Sequence, residues 1–120
     1  MRKIEIGTEK YTVVFAADHP EHNANHTYQV FTAVAGGGAV GTAIQTVQFQ
    51  KGAIKERGIN GVMNEDLIAM VIDRLESFQN SPFKCRENAL AITKLEEALH
   101  WLRHRTTKRE NRGVEGTHVV

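Results

Sequence analysis

Arg105, Arg109 and Arg112 follow one another at intervals of four and three residues, the spacing that lines side chains along one face of a helix. Three guanidiniums in a row present forked donors suited to phosphate oxygens, and their planes can stack on a purine. A structural reading competes with this. Cations in the last turns of a helix are favoured by its dipole alone, by ~0.3–1 kcal/mol each. A second group sits in Cys85-Arg-Glu-Asn-Ala89, where Arg86 and Asn88 fall near a helix N-terminus whose free N–H groups also attract anions. Glu87 works against an anion bound at that spot. Phe78 and Phe83 flank the segment between the two helices, and a base stacked on either ring gains ~1–3 kcal/mol. Aromatic residues in such places more often close a core.

Other constellations are weaker. His19, His22 and His26 beside Asp18 have spacings compatible with zinc, but they share a polar loop with Pro20 and lack a cysteine partner, so no metal is expected. Gly36 to Gly41 is no phosphate loop, because no Gly-Lys-Ser/Thr follows and the next residues read as strand. Cys85 lacks the arginine about six residues on that a phosphatase loop requires; Ala91 stands there, and a small buried apolar role is favoured. Glu96 and Glu97 are adjacent on a helix and diverge, while His100 and His104 lack the glutamate of a zinc-protease helix, Trp101 taking its place. The inventory is that of a holder rather than an enzyme, with no cofactor implied.

Two kinds of element must position these groups. Tyr11–Phe15, Thr27–Val34 and Ile44–Gln50 are β-branched, aromatic or alternating, and predict three antiparallel strands. Residues 51–63 carry Gly52, Gly58 and Gly61 and read as a loop. Asn64 is the expected N-cap of a helix whose stripe is Leu67, Val71, Leu75 and Phe78 with Ile68 and Ile72, ending at Gln79-Asn80. Ser81-Pro82 predicts the start of a second helix, with a seam of Ile92, Leu95, Leu99 and Leu102 and small Ala91 and Ala98, running to about Arg109 and stopped by Gly113. Trp101 faces away from that seam and is expected to pack on the sheet or on another subunit. The expected architecture is α+β: a small N-terminal antiparallel sheet (1–50) packed on a C-terminal two-helix antiparallel hairpin (64–112), with a tail (113–120) that drapes over a neighbour or stays disordered, all in one domain.

With 41% hydrophobic and 24% charged residues, the 120-residue chain reads as globular, and no apolar run is long enough for a membrane span or a leader. A single cysteine excludes an internal disulfide framework and fits a reducing compartment. The net charge of +1 hides a gradient: Arg103, Arg105, Lys108, Arg109 and Arg112 face one carboxylate, Glu110, so positive potential gathers at one end of one element. Two helices and three strands bury little surface, which predicts association.

The second half carries a resemblance. Asp73-Arg-Leu-Glu-Ser-Phe-Gln79, Cys85-Arg-Glu-Asn-Ala-Leu-Ala91, Thr93-Lys-Leu-Glu-Glu-Ala-Leu99, Trp101-Leu102, Arg105-Thr106 and Arg112-Gly-Val-Glu-Gly-Thr117 together resemble the helical hairpin shared by two phage anti-defence sponge families. One is the first Thoeris anti-defence family, which sequesters cyclic ADP-ribose isomers; the other is the anti-CBASS sponge, which sequesters cyclic oligonucleotides. A β-rich front half is similar to the Thoeris family. The resemblance implies a homo-oligomer, a dimer or hexamer with shared pockets, acting in the cytoplasm of the infected host cell. Its ligand would be a cyclic ADP-ribose isomer bound without cleavage, with cyclic trinucleotides at a second site. It carries Asn88, Arg105 and one of Phe78 and Phe83 into the ligand site, with Arg109 and Arg112 following on the same face, Arg57 in the glycine-bearing loop, and Gly116 and Thr117 lining the second site; Arg86 joins these candidates from its place near the helix N-terminus. The alternatives are a sponge against CBASS and a basic-helix nucleic-acid-binding regulator; polymeric nucleic acid is the less favoured partner.

Overall fold

The structure, a computed structural model, describes residues 1–7, 10–34 and 40–120, which form two compact units, Met1–Val62 and Met63–Val120. The α+β class expected from sequence is what forms. The first unit holds four antiparallel strands in the order β1 (Arg2–Lys3), β2 (Thr12–Ala16), β3 (Thr27–Ala33), β4 (Val40–Gln48). Three of these are the predicted strands, with shifted ends. The fourth, β1, pairs Arg2 with Ala16 and Lys3 with Phe15. Two residues show no periodicity, so only the partner strand reveals them. Val13 and Ala16 are buried, and Phe15 meets Phe31 edge-on at 5.6 Å between ring centres.

The β2–β3 connection is a built turn. Glu21 bridges Ala24 across His22 and Asn23, whose φ values of 47° and 74° are those of a two-residue hairpin turn. The Asp18 carboxylate accepts from the His26 amide (3.0 Å) and the Asn25 side chain (3.1 Å). His26, buried at 7% exposure, shares a 2.6 Å hydrogen bond with the Glu21 carbonyl. The histidine that zinc spacing singled out thus closes a turn. Among the described residues, no group of three or more His, Cys, Asp or Glu side chains is placed to hold a metal ion.

Strand β4 begins earlier than predicted. Of the glycine run, residues 36–39 lie outside the described residues, while Gly41 belongs to the strand, beside a register irregularity near Phe31. A Cβ at Gly41 would collide with the Thr32 hydroxyl, which already accepts from the Thr42 amide at 2.9 Å. Residues 51–63 are also not all loop: α1 (Ile54–Arg57) is a single helical turn hidden by its flanking glycines. Asn60 clamps the Lys51 backbone with two 2.8 Å bonds, and Gln50 holds the Gly58 carbonyl and the Asn60 amide. Arg57 lays its aliphatic stem against Gly52.

The second unit is the hairpin of α2 (Asn64–Gln79) and α3 (Arg86–Asn111). Met63, not Asn64, takes the cap position of α2, because Asp66 reaches back to accept from the Met63 amide at 2.8 Å. Ser81-Pro82 does not start α3. The Ser81 hydroxyl bonds backward to the Phe78 carbonyl (2.6 Å), and the Gln79 side chain ties both backbone groups of Cys85 at 3.0 Å. The helix therefore waits until Arg86, with Cys85 as its cap accepting from the Asn88 amide. Cys85 is exposed, contrary to the buried role expected for it. Leu99 is buried on the predicted seam, with Ile92, Leu95 and Leu102 half-buried beside it. On α2 the half-buried line is Leu67, Ile68, Ile72 and Leu75, whereas Val71 and Phe78 are exposed. No helix among the described residues is long and apolar enough to cross a membrane.

Candidate functional site

Helix α3 has 26 residues and α2 has 16, so past the start of α2 the last turns of α3 run on alone for about 15 Å. A hollow of about 430 Å³ lies along this overhang, lined by Trp101, His104, Arg105, Lys108, Arg109 and Arg112. It brings together the three arginines that sequence spacing aligned. It adds Lys108 from the same basic cluster, together with Trp101 and His104, whose spacing of four from Trp101 to Arg105 and from His104 to Lys108 is the signal that could have joined them to the stripe. Trp101 is 59% exposed, its ring edge-on to His104 at 5.9 Å, and His104 stacks on His100 at 6.3 Å.

The arginines of this stripe are differently engaged. Arg109 is half-buried, and its Nη2 donates to the carbonyls of Val114 (3.1 Å), Thr117 (3.1 Å) and Val119 (2.8 Å). Arg112 donates to the Val120 carbonyl at 2.7 Å. The expected stop at Gly113 holds: its φ is 73°, its amide bonds to Glu110 and the Val114 amide bonds to Arg109, the pattern that ends a helix on a left-handed glycine. Residues 114–119 therefore fold back on their own helix end, where a tail on a neighbour or a disordered one was expected. Gly116 and Thr117 lie half-buried in that turn. Arg105 is exposed and lines the hollow, and among the described residues no carbonyl anchors its guanidinium in this way.

A second hollow, of about 520 Å³, lies at the opposite end of the hairpin and is lined by Asp73, Arg74, Ser77, Phe78, Ser81 and Phe83. Both candidate rings are here. Phe83 is 77% exposed, and the Arg74 guanidinium sits 5.4 Å from the centre of the Phe78 ring. Arg86 and Asn88 occupy the first turn of α3 at this same end. Asn88 and Arg105 are about 25 Å apart along α3, so within one chain the rings and the basic stripe cannot touch one small ligand. Arg57 lies in the first unit, on α1.

The model of the Acb2/Tad1, hairpin domain matches residues 42–107, more than half of the chain. The chain belongs to this family. The matched span takes in α2 and α3 as far as residue 107, and with them Phe78, Phe83, Asn88 and Arg105, while Lys108, Arg109 and Arg112 lie beyond it. A protein named Thoeris anti-defense 1, from Bacillus phage SBSphiJ7, is 72% identical over 75 residues, covering 62% of this chain and 53% of that relative. The chain spans about half the length of the curated relative it matches. The hairpin of this chain carries Phe78 and Phe83 at one end and the stripe of Arg105, Lys108, Arg109 and Arg112 at the other.

Proposed function

We propose that this protein captures a cyclic ADP-ribose-type second messenger and holds it without cleaving it, so blocking Thoeris antiphage defence in the cytoplasm of an infected cell. The observation that carries the reading is the hairpin itself. Its two hollows offer aromatic faces for a purine and guanidiniums for a pyrophosphate, and it is the element that defines the family. The Thoeris anti-defense name of the phage relative supplies the biological setting. The separation of Phe78 and Phe83 from Arg105 favours a pocket completed by a second copy, whose basic end would lie over the phenylalanine end of the first. Supporting that association, Leu99 is the one hydrophobic side chain buried among the described residues of the hairpin unit, while Met70, Val71, Leu90 and Trp101 stay exposed. An enclosed site between rigid helices suits tight binding without turnover.

The test is incubation of the purified chain with a panel of cyclic ADP-ribose isomers and cyclic trinucleotides, followed by native mass spectrometry and then heat denaturation. Release of intact ligand from an oligomer supports sequestration. Release of a linear product means hydrolysis, and a monomer that binds none of the panel ends the reading. Unchanged capture after Arg105→Ala and Asn88→Ala removes those residues from the site. Preference for polymeric nucleic acid, falling steeply with salt, would favour the regulator instead.

A further inference from the structure

The ring-rich hollow contains a group that phosphate binding does not explain. Asp73 lines it together with Ser77, one helical turn further along α2, among two phenylalanine rings and the Arg74 guanidinium. Asp73 is exposed, and no ion pair or hydrogen bond engages its carboxylate among the described residues. Its place in the fold gives no reason for it either. The dipole favours carboxylates in the first turn, where Glu65 and Asp66 stand, and aspartate is a poor residue in a helix interior. The Ser77 hydroxyl donates to the Asp73 carbonyl at 3.2 Å, which engages its proton and leaves its oxygen able to accept.

A carboxylate repels any phosphate within its reach, and it accepts strongly from hydroxyl groups. We propose that Asp73, assisted by Ser77, accepts hydrogen bonds from ribose hydroxyls of the bound nucleotide, so that this end of the hairpin selects an unphosphorylated ribose while the phosphates lie toward guanidiniums. The inference rests on the sequestration reading and deepens it: the hollow takes the nucleoside part, base on the rings and sugar on Asp73. The same chemistry separates dinucleotide sites that read a ribose 2′-hydroxyl with a carboxylate from those that accept a 2′-phosphate with an arginine.

The experiment is calorimetric titration of the full chain with cyclic ADP-ribose and with its 2′-phosphorylated counterpart. The wild-type chain is expected to bind the unphosphorylated ligand at least about tenfold more tightly. Asp73→Asn, which keeps the shape and removes the charge, brings the two affinities to within about threefold, and Asp73→Arg reverses the preference. Because position 73 is exposed, both variants are expected to melt like the wild type, and circular dichroism checks this. Equal binding of both ligands by the wild type, or discrimination that survives Asp73→Asn, overturns the role of Asp73 and leaves sequestration standing. Failure of the wild type to bind either ligand overturns both.

Discussion

Replacing Arg109 by alanine should release the C-terminal turn while leaving the hairpin folded. The Nη2 atom carries two hydrogens and faces three carbonyls at 2.8–3.1 Å, so two bonds form at a time, one of them shared. A hydrogen bond from a charged donor contributes ~1.5–3 kcal/mol when buried; for this half-exposed guanidinium about 1 kcal/mol per bond is the better figure. Loss of both is then about 2 kcal/mol, roughly a thirtyfold shift in the opening equilibrium of residues 114–119. Hydrogen exchange followed by mass spectrometry reads this directly, because the Thr117 amide bonds to the Val114 carbonyl and the Val119 amide to the Thr117 hydroxyl. Those amides should exchange about thirtyfold faster in Arg109→Ala, with amides around Leu99 unchanged. Arg105→Ala, which touches no part of the turn, should leave exchange there as in the wild type. Unaltered protection at Thr117 and Val119 after Arg109→Ala would refute the latch and return Arg109 to the ligand.

Three further outcomes are expected. Burial raises the Asp18 pKa, but the amides of His26 and Thr27 and the Asn25 side chain outweigh it and hold the group at about 2, below its ordinary 3.8. A lowered folded-state pKa means stability that is present above pH 3.8 and lost as pH falls toward 2, so thermal melts of Asp18→Asn against wild type should converge across that window. Gly61→Ala should destabilise the first unit by about 1–3 kcal/mol in denaturant melts, since its Cβ would collide with the backbone of Phe49, where Val62 bridges the strand. Cys85→Ser should raise the melting temperature slightly, because a hydroxyl caps the Asn88 amide better than a thiol at 3.4 Å, a gain of a few tenths to about 1 kcal/mol; an unchanged or lower melting temperature would mean that the cap is not limiting.

Much of this molecule follows from local pattern. Alternation and β-branching located β2, β3 and the body of β4; apolar spacing located α2 and α3; and Gly113 stopped α3 where a left-handed residue was needed. The arginine stripe was equally legible, because helical periodicity alone puts Arg105, Arg109 and Arg112 on one face. What escaped depends on partners distant in sequence or on side chains choosing between neighbours. A two-residue strand exists only against Ala16 and Phe15. The start of α3 was displaced because Gln79 claimed Cys85 and Ser81 turned back on Phe78, a competition that the Ser-Pro signal does not record. Spacing could align the arginines but could not say that Arg109 spends its hydrogen bonds on the carbonyls of 114–119 whereas Arg105 stays open. Nor could it place Phe78, Phe83 and Asp73 around one hollow at the far end of the hairpin from the arginine stripe. Residue type and period are properties of the chain taken a few residues at a time. Which groups are left over to meet a ligand is decided only after the folded backbone has taken its own partners.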